Sequence, residues 1–122
     1  MYQQYIIGYY RDQLGNKINI YSCNKDFINF RINIKHYYGL DINFKTNAIL
    51  YCENDKLKFC SIHRLISRNL TIVLYGRIEI PDNSVSIQIL SFNANRENTN
   101  TSNFLLKKYL NVQTSVNYGN KI

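Results

Sequence analysis

NLTIVLYGRIEI-PDNS-VSIQILSF, residues 69–92, decides the fold class. Leu70, Ile72, Leu74, Gly76, Ile78 and Ile80 share one parity, and Thr71, Val73, Tyr75, Arg77 and Glu79 share the other. Side chains alternate faces along a strand, so this is a β-hairpin with a core face and a mixed, partly polar face, turning at Pro81–Ser84. Gly76 falls in mid-strand, where glycine marks a bulge, a bend or a close backbone approach.

Upstream, the same period recurs. Tyr5–Tyr10 and Lys17–Cys23 read as strands around the turn Asp12–Lys17. Phe27–Lys35 alternates Ile28, Phe30, Ile32 and Ile34 inward against Asn29, Arg31, Asn33 and Lys35. His36–Lys45 fits either a loop at Gly39 or a continued, bent strand. Asn47–Glu53 and Lys56–Ile62 form a second hairpin about Asn54-Asp55, and Ser61–Ser67 suits a turn or two of helix.

Downstream, Asn93–Thr101 is polar and reads as a loop. Thr101 or Ser102 is placed to cap a helix through Asn111, with Phe104, Leu105, Leu106, Tyr109 and Leu110 as its apolar face. The sum is a mainly all-β domain, a barrel or sandwich of about six strands with one C-terminal helix. The domain is expected over residues 1–112, with a flexible tail at 113–122.

The bulk composition narrows the function classes. A chain of 122 residues suffices for one core. Fifteen Lys and Arg against eight Asp and Glu give +7, which suits a polyanionic partner. Eleven Tyr and six Phe provide stacking surfaces, although an AT-rich coding bias produces the same enrichment. No apolar run is long enough for a transmembrane helix, and no signal peptide is visible at the N-terminus, so an intracellular chain with free thiols at its three cysteines is expected.

Catalytic and metal signatures are sparse. Cys52, Cys60 and His63 lack the tight pairing of structural zinc sites, and the two thiols read as core residues, so no metal and no cofactor is expected. The carboxylates mostly flank turns, and no phosphate loop, nucleophile elbow or zinc-protease motif is present. The run IIGYYRDQLGNKINIYSCNKDF loosely resembles the opening of LAGLIDADG homing endonucleases, a reading in which Asp12 would be the metal-binding acid.

Between Lys56 and Ile78 there is no acidic residue, while Lys56, Lys58, Arg64, Arg68 and Arg77 accumulate beside Tyr51, Phe59, His63 and Tyr75. Cations interleaved with aromatic rings suit single-stranded nucleic acid.

The order TIVLYGRIEI, turn, VSIQILSF, polar linker and SNFLLKKYL resembles the end of small single OB-fold subunits, namely the smallest subunits of replication protein A and of the telomeric CST complex. The resemblance implies a five- to seven-stranded OB-like barrel in a nuclear, non-enzymatic complex on single-stranded or telomeric DNA. It implies that Phe104, Leu105, Leu106, Tyr109 and Leu110 bind a larger OB-fold subunit, and that Lys56, Lys58, Arg64, Arg68, Tyr75 and Arg77 make secondary DNA contacts. A β-rich viral or phage protein, structural or inhibitory toward a protein target, and a degenerate LAGLIDADG-like nuclease are the rival readings.

Overall fold

The computed structural model describes residues 3–109. Eight strands run in chain order: β1 Gly8–Arg11, β2 Lys17–Cys23, β3 Phe27–Tyr37, β4 Leu40–Glu53, β5 Lys56–Leu65, β6 Leu70–Glu79, β7 Ser84–Phe92 and β8 Asn98–Lys108. Each is antiparallel to the next, and β1 pairs with β8, closing an up-and-down barrel. Closure removes the exposed sheet edges that an open meander of this length would present.

Two turns follow directly from residue chemistry. Asn54 and Asp55 both take positive φ (52° and 63°), as do Tyr38 and Gly39 (49° and 78°). Two consecutive left-handed residues match the twist of a hairpin, and Asn, Asp and Gly reach that conformation most readily. His36–Lys45 is therefore a strand continuing through a tight turn, with a register shift between Ile34 and Tyr37. Ser61–Ser67 is strand as far as Leu65, and only Ile66–Arg68 forms a 3-10 turn.

One end of the barrel, here the base, carries the turns at 24–26, 54–55 and 80–83. The single-turn helix α1 (Gln3–Ile6) inserts Ile6 there, 1% exposed, and Tyr10 Oη donates to the Ile6 carbonyl at 2.7 Å. The other end, the mouth, carries the loops at 12–16, 38–39, 66–69 and 93–97.

Among the described residues the expected C-terminal helix is absent, because residues 98–108 form β8. Phe104, Leu105 and Leu106 fit a helical stripe only if all three face one way. In β8 they alternate: Leu106 is fully buried, Phe104 packs on the core, and Leu105 points outward at 53% exposure. A nine-residue helix is marginal on its own, whereas β8 pairs with β7 along nearly its whole length. Tyr109 lies beneath the Arg11 guanidinium, 4.3 Å from its ring centroid, and Leu110 lies outside the described residues. The OB-like architecture and a helix-mediated contact with a larger OB-fold subunit fall together. The expected boundary at 112/113 lies outside the described residues.

Candidate functional site

Strand register sorts the inward side chains of β5 to β8 into rows. Nearest the base, Leu57, Ile78, Val85 and Leu106 pair across the four strands, and above them come Phe59, Gly76, Ile87 and Phe104. The third row is Ser61, Leu74, Ile89 and Ser102, and the fourth is His63, Ile72, Ser91 and Asn100. The two lower rows are hydrocarbon and aromatic throughout. The two upper rows mix hydroxyl, imidazole and amide groups with aliphatic ones.

The lower rows are solid. Phe59 lies over Gly76 so closely that a Cβ at position 76 would come within 2.1 Å of its ring. Gly76 is thus a site of close approach, and the β6 ladders continue past it on both sides without a register shift. Phe30 packs on Phe59 at 5.2 Å between centroids.

In the mouth, the polar groups satisfy one another. The shift after Ile34 brings the fully buried Tyr37 ring inward across β8. Its hydroxyl donates toward Ser91 Oγ (3.1 Å) and the Asn100 carbonyl (2.9 Å). Ser91 Oγ lies 2.7 Å from Thr99 Oγ1, which itself donates to the Ser91 carbonyl at 3.1 Å. Burial raises the Tyr37 pKa, with Ser91 opposing and Tyr38 adding to the shift. On β5, Ser61 Oγ and His63 Nε2 are 3.0 Å apart, and burial lowers the His63 pKa. The imidazole is therefore neutral at neutral pH. None of these mouth groups carries a charge.

A seam runs beside this cluster. The β4–β5 ladder covers only Ile49–Glu53 against Lys56–Cys60. Above it, Leu40–Ala48 pairs with β3 alone and Ser61–Leu65 with β6 alone. The stacked rings of Phe44 and His63, 3.9 Å apart, bridge that gap. Parting the strands there disturbs a ring stack rather than a backbone ladder.

The sequence-predicted cationic face is divided, and three of its five cations are ion-paired. Cross-strand neighbours bring Glu53 to Lys58 (2.6 Å) and Glu79 to Lys56 (3.4 Å), and Glu79 also pairs with Arg77 two residues before it on β6 (2.8 Å). Arg64 binds Asn69 and Thr71 at the mouth rim, and Arg68 ends the 3-10 turn beyond it. Lys58, Tyr75 and Arg77 share an outer-wall cleft of about 710 Å³ with Tyr51, Phe104 and Leu105. The cleft thus joins three of the predicted DNA contacts to two of the predicted interface residues. Of the two cysteines expected in the core, Cys52 is exposed and Cys60 half-buried, facing outward. The nuclease reading also fails. Its motif stretch is β1, a loop and β2, and the Asp12 carboxylate accepts from Leu14 N, Asn16 N and Asn16 Nδ2.

No family model matches the sequence, and no curated protein matches it. The fold defines a closed eight-stranded antiparallel barrel, and a solved structure described as the bradavidin2–biotin complex is similar to it. That likeness has a TM-score of 0.56 at 14% identity and covers 84% of this chain and 96% of that one. At this identity the likeness is one of fold. It replaces the OB-subunit reading, and with it the assignment to a single-stranded or telomeric DNA complex.

Missing from the sequence-based site were Ser61, Ser91 and Asn100, and His63 figures there only as a ring beside the cations. Period-two spacing carried the signal: Leu57, Phe59, Ser61 and His63 on β5, and Asn100, Ser102, Phe104 and Leu106 on β8. Assigning a helix from residue 102 hid the second series.

Proposed function

We propose that this chain is a non-enzymatic binding protein that takes one small molecule in the mouth of its barrel. Eight-stranded barrels have lumens that side chains can fill or that hold a single small ligand, and barrel mouths are frequent ligand sites. The observation that carries the reading is the confinement of inward hydrogen-bonding groups to the two upper rows of β5 to β8, above a base packed with hydrocarbon.

The chemistry of those rows selects the ligand's buried part. Ser61 and Ser91 offer hydroxyls, Tyr37 of β3 adds another, and His63 offers a neutral imidazole. A buried charge would find no partner among them, so the recognised head is neutral and presents both donors and acceptors, as an amide or cyclic urea does. These groups pair with one another, and a ligand entering the mouth would exchange those partners, with the β4–β5 seam supplying room. The likeness in fold to a protein solved with biotin, whose head is a cyclic urea, makes biotin the first ligand to test.

The test is isothermal calorimetry of the full chain with biotin and with ethyleneurea, the bare cyclic urea. The expected result is one site per chain, weakened about tenfold or more by Ser91→Ala, since a site built to hydrogen-bond a polar group discriminates strongly against losing a partner. Absence of heat with both compounds, or equal binding by a folded Ser61→Ala/Ser91→Ala variant, would refute the mouth as the site.

A further inference from the structure

We propose a second site, on the outer wall between the β1–β2 loop and β8, that binds an oligophosphate group. A cleft of about 930 Å³ there is bordered by five cationic side chains, Arg11, Lys17, Lys35, Lys107 and Lys108, and by a single acid, Asp12. This site does not depend on the mouth reading.

Asp12 does not neutralise the cleft. Its two carboxylate oxygens accept hydrogen bonds from Leu14 N, Asn16 N and Asn16 Nδ2, which fix the loop. Among the described residues, all three carboxylate ion pairs involve Lys56, Lys58 or Arg77, elsewhere on the barrel. Five like charges are thus gathered with no carboxylate paired to any of them. Such an arrangement repels itself until an anion enters.

The cations are also held in place. The Arg11 guanidinium lies over the Tyr109 ring, and Lys108 Nζ donates to the Tyr5 carbonyl at 2.6 Å. The Lys35 stem crosses Gly15, whose φ of +90° admits few other residues, at 3.6 Å from the position a Cβ would take. One planar guanidinium with several ammonium groups suits clustered phosphates, which accept the fork of Arg and the point charges of Lys together. A monoanion would leave most of the repulsion in place.

Thermal unfolding of the full chain, with sodium chloride holding ionic strength constant, tests the site. Tripolyphosphate is expected to raise the midpoint by several degrees, where sodium chloride alone does not. The Lys35→Glu/Lys107→Glu variant is expected to lose at least about tenfold in tripolyphosphate affinity. Lys25→Glu/Arg68→Glu, with the same change in net charge, is expected to keep it. Should the first variant unfold, Lys35→Gln/Lys107→Gln serves in its place. ATP free of magnesium separates the two sources of the group: equal affinity assigns a free oligophosphate, and tighter ATP binding assigns a nucleotide. No shift at matched ionic strength, or equal loss in both charge-reversed variants, would overturn the proposal.

Discussion

The two halves of the lumen are built from the same strands by opposite rules. In the base, Phe59, Ile78, Ile87 and Leu106 fill space, and Gly76 exists to admit a ring. In the mouth, Ser61 pairs with His63 and Ser91 with Thr99 by hydrogen bonds, beside the stretch of β4 and β5 that lies outside their shared ladder. A hydrocarbon interior contributes stability in proportion to its buried area, while paired polar groups contribute little net free energy but specify partners. The difference separates the part of the barrel that keeps it folded from the part free to recognise a ligand.

Breaking the base should cost most. Phe59→Ala leaves a cavity beneath Gly76 and is expected to lower stability by about 3–5 kcal/mol in urea unfolding. Gly76→Ala forces a methyl group into the Phe59 ring, and a loss of about 1–3 kcal/mol is expected by the same measurement. Ser91→Ala in the mouth leaves Tyr37 its carbonyl acceptor on Asn100, so about 0.5–1.5 kcal/mol should be lost. A Ser91 loss as large as that of Phe59 would erase the distinction between the halves.

Titration sharpens the same contrast with smaller effects. Burial, with a lesser contribution from Cys23, pushes the Tyr10 pKa up to about 12 at the base. The folded state then holds this proton after the unfolded chain has released it, so stability should fall as pH rises from 10 toward 12. His63 behaves oppositely, because its folded pKa is lowered by burial. Above the ordinary histidine range both states are neutral and stability is full; it should decline as pH falls below about 6.5, where the unfolded chain protonates first. Urea midpoints across pH should lose the acid-side slope in His63→Asn and keep the alkaline one.

Much of the barrel was legible in the sequence. The alternation in Leu70–Ile80 and Phe27–Lys35, and the pair Asn54-Asp55, are local signals that the structure keeps. The error lay at residues 98–108, where apolar residues at 104, 105 and 106 satisfy a helical stripe as well as a strand. What decided the matter is not local: β7 requires a partner for Val85 and Ile87, and β8 must reach β1 to close the barrel. The ion pairs of the cationic face were hidden for a similar reason. No acid lies between Lys56 and Ile78 along the chain, yet Glu53 and Glu79 stand beside those lysines across the ladder. Sequence distance hid the neutralisation that pairing produces.

The most direct test of the mouth as a binding site is a map of backbone amide shifts while ethyleneurea is titrated into the full chain. Movement is expected to centre on Ser61, His63, Ser91 and Asn100, with Leu57, Phe59, Val85 and Leu106 unmoved. Shifts centred instead on Tyr51, Tyr75 and Arg77 in the outer-wall cleft, or no shifts at all, would contradict it.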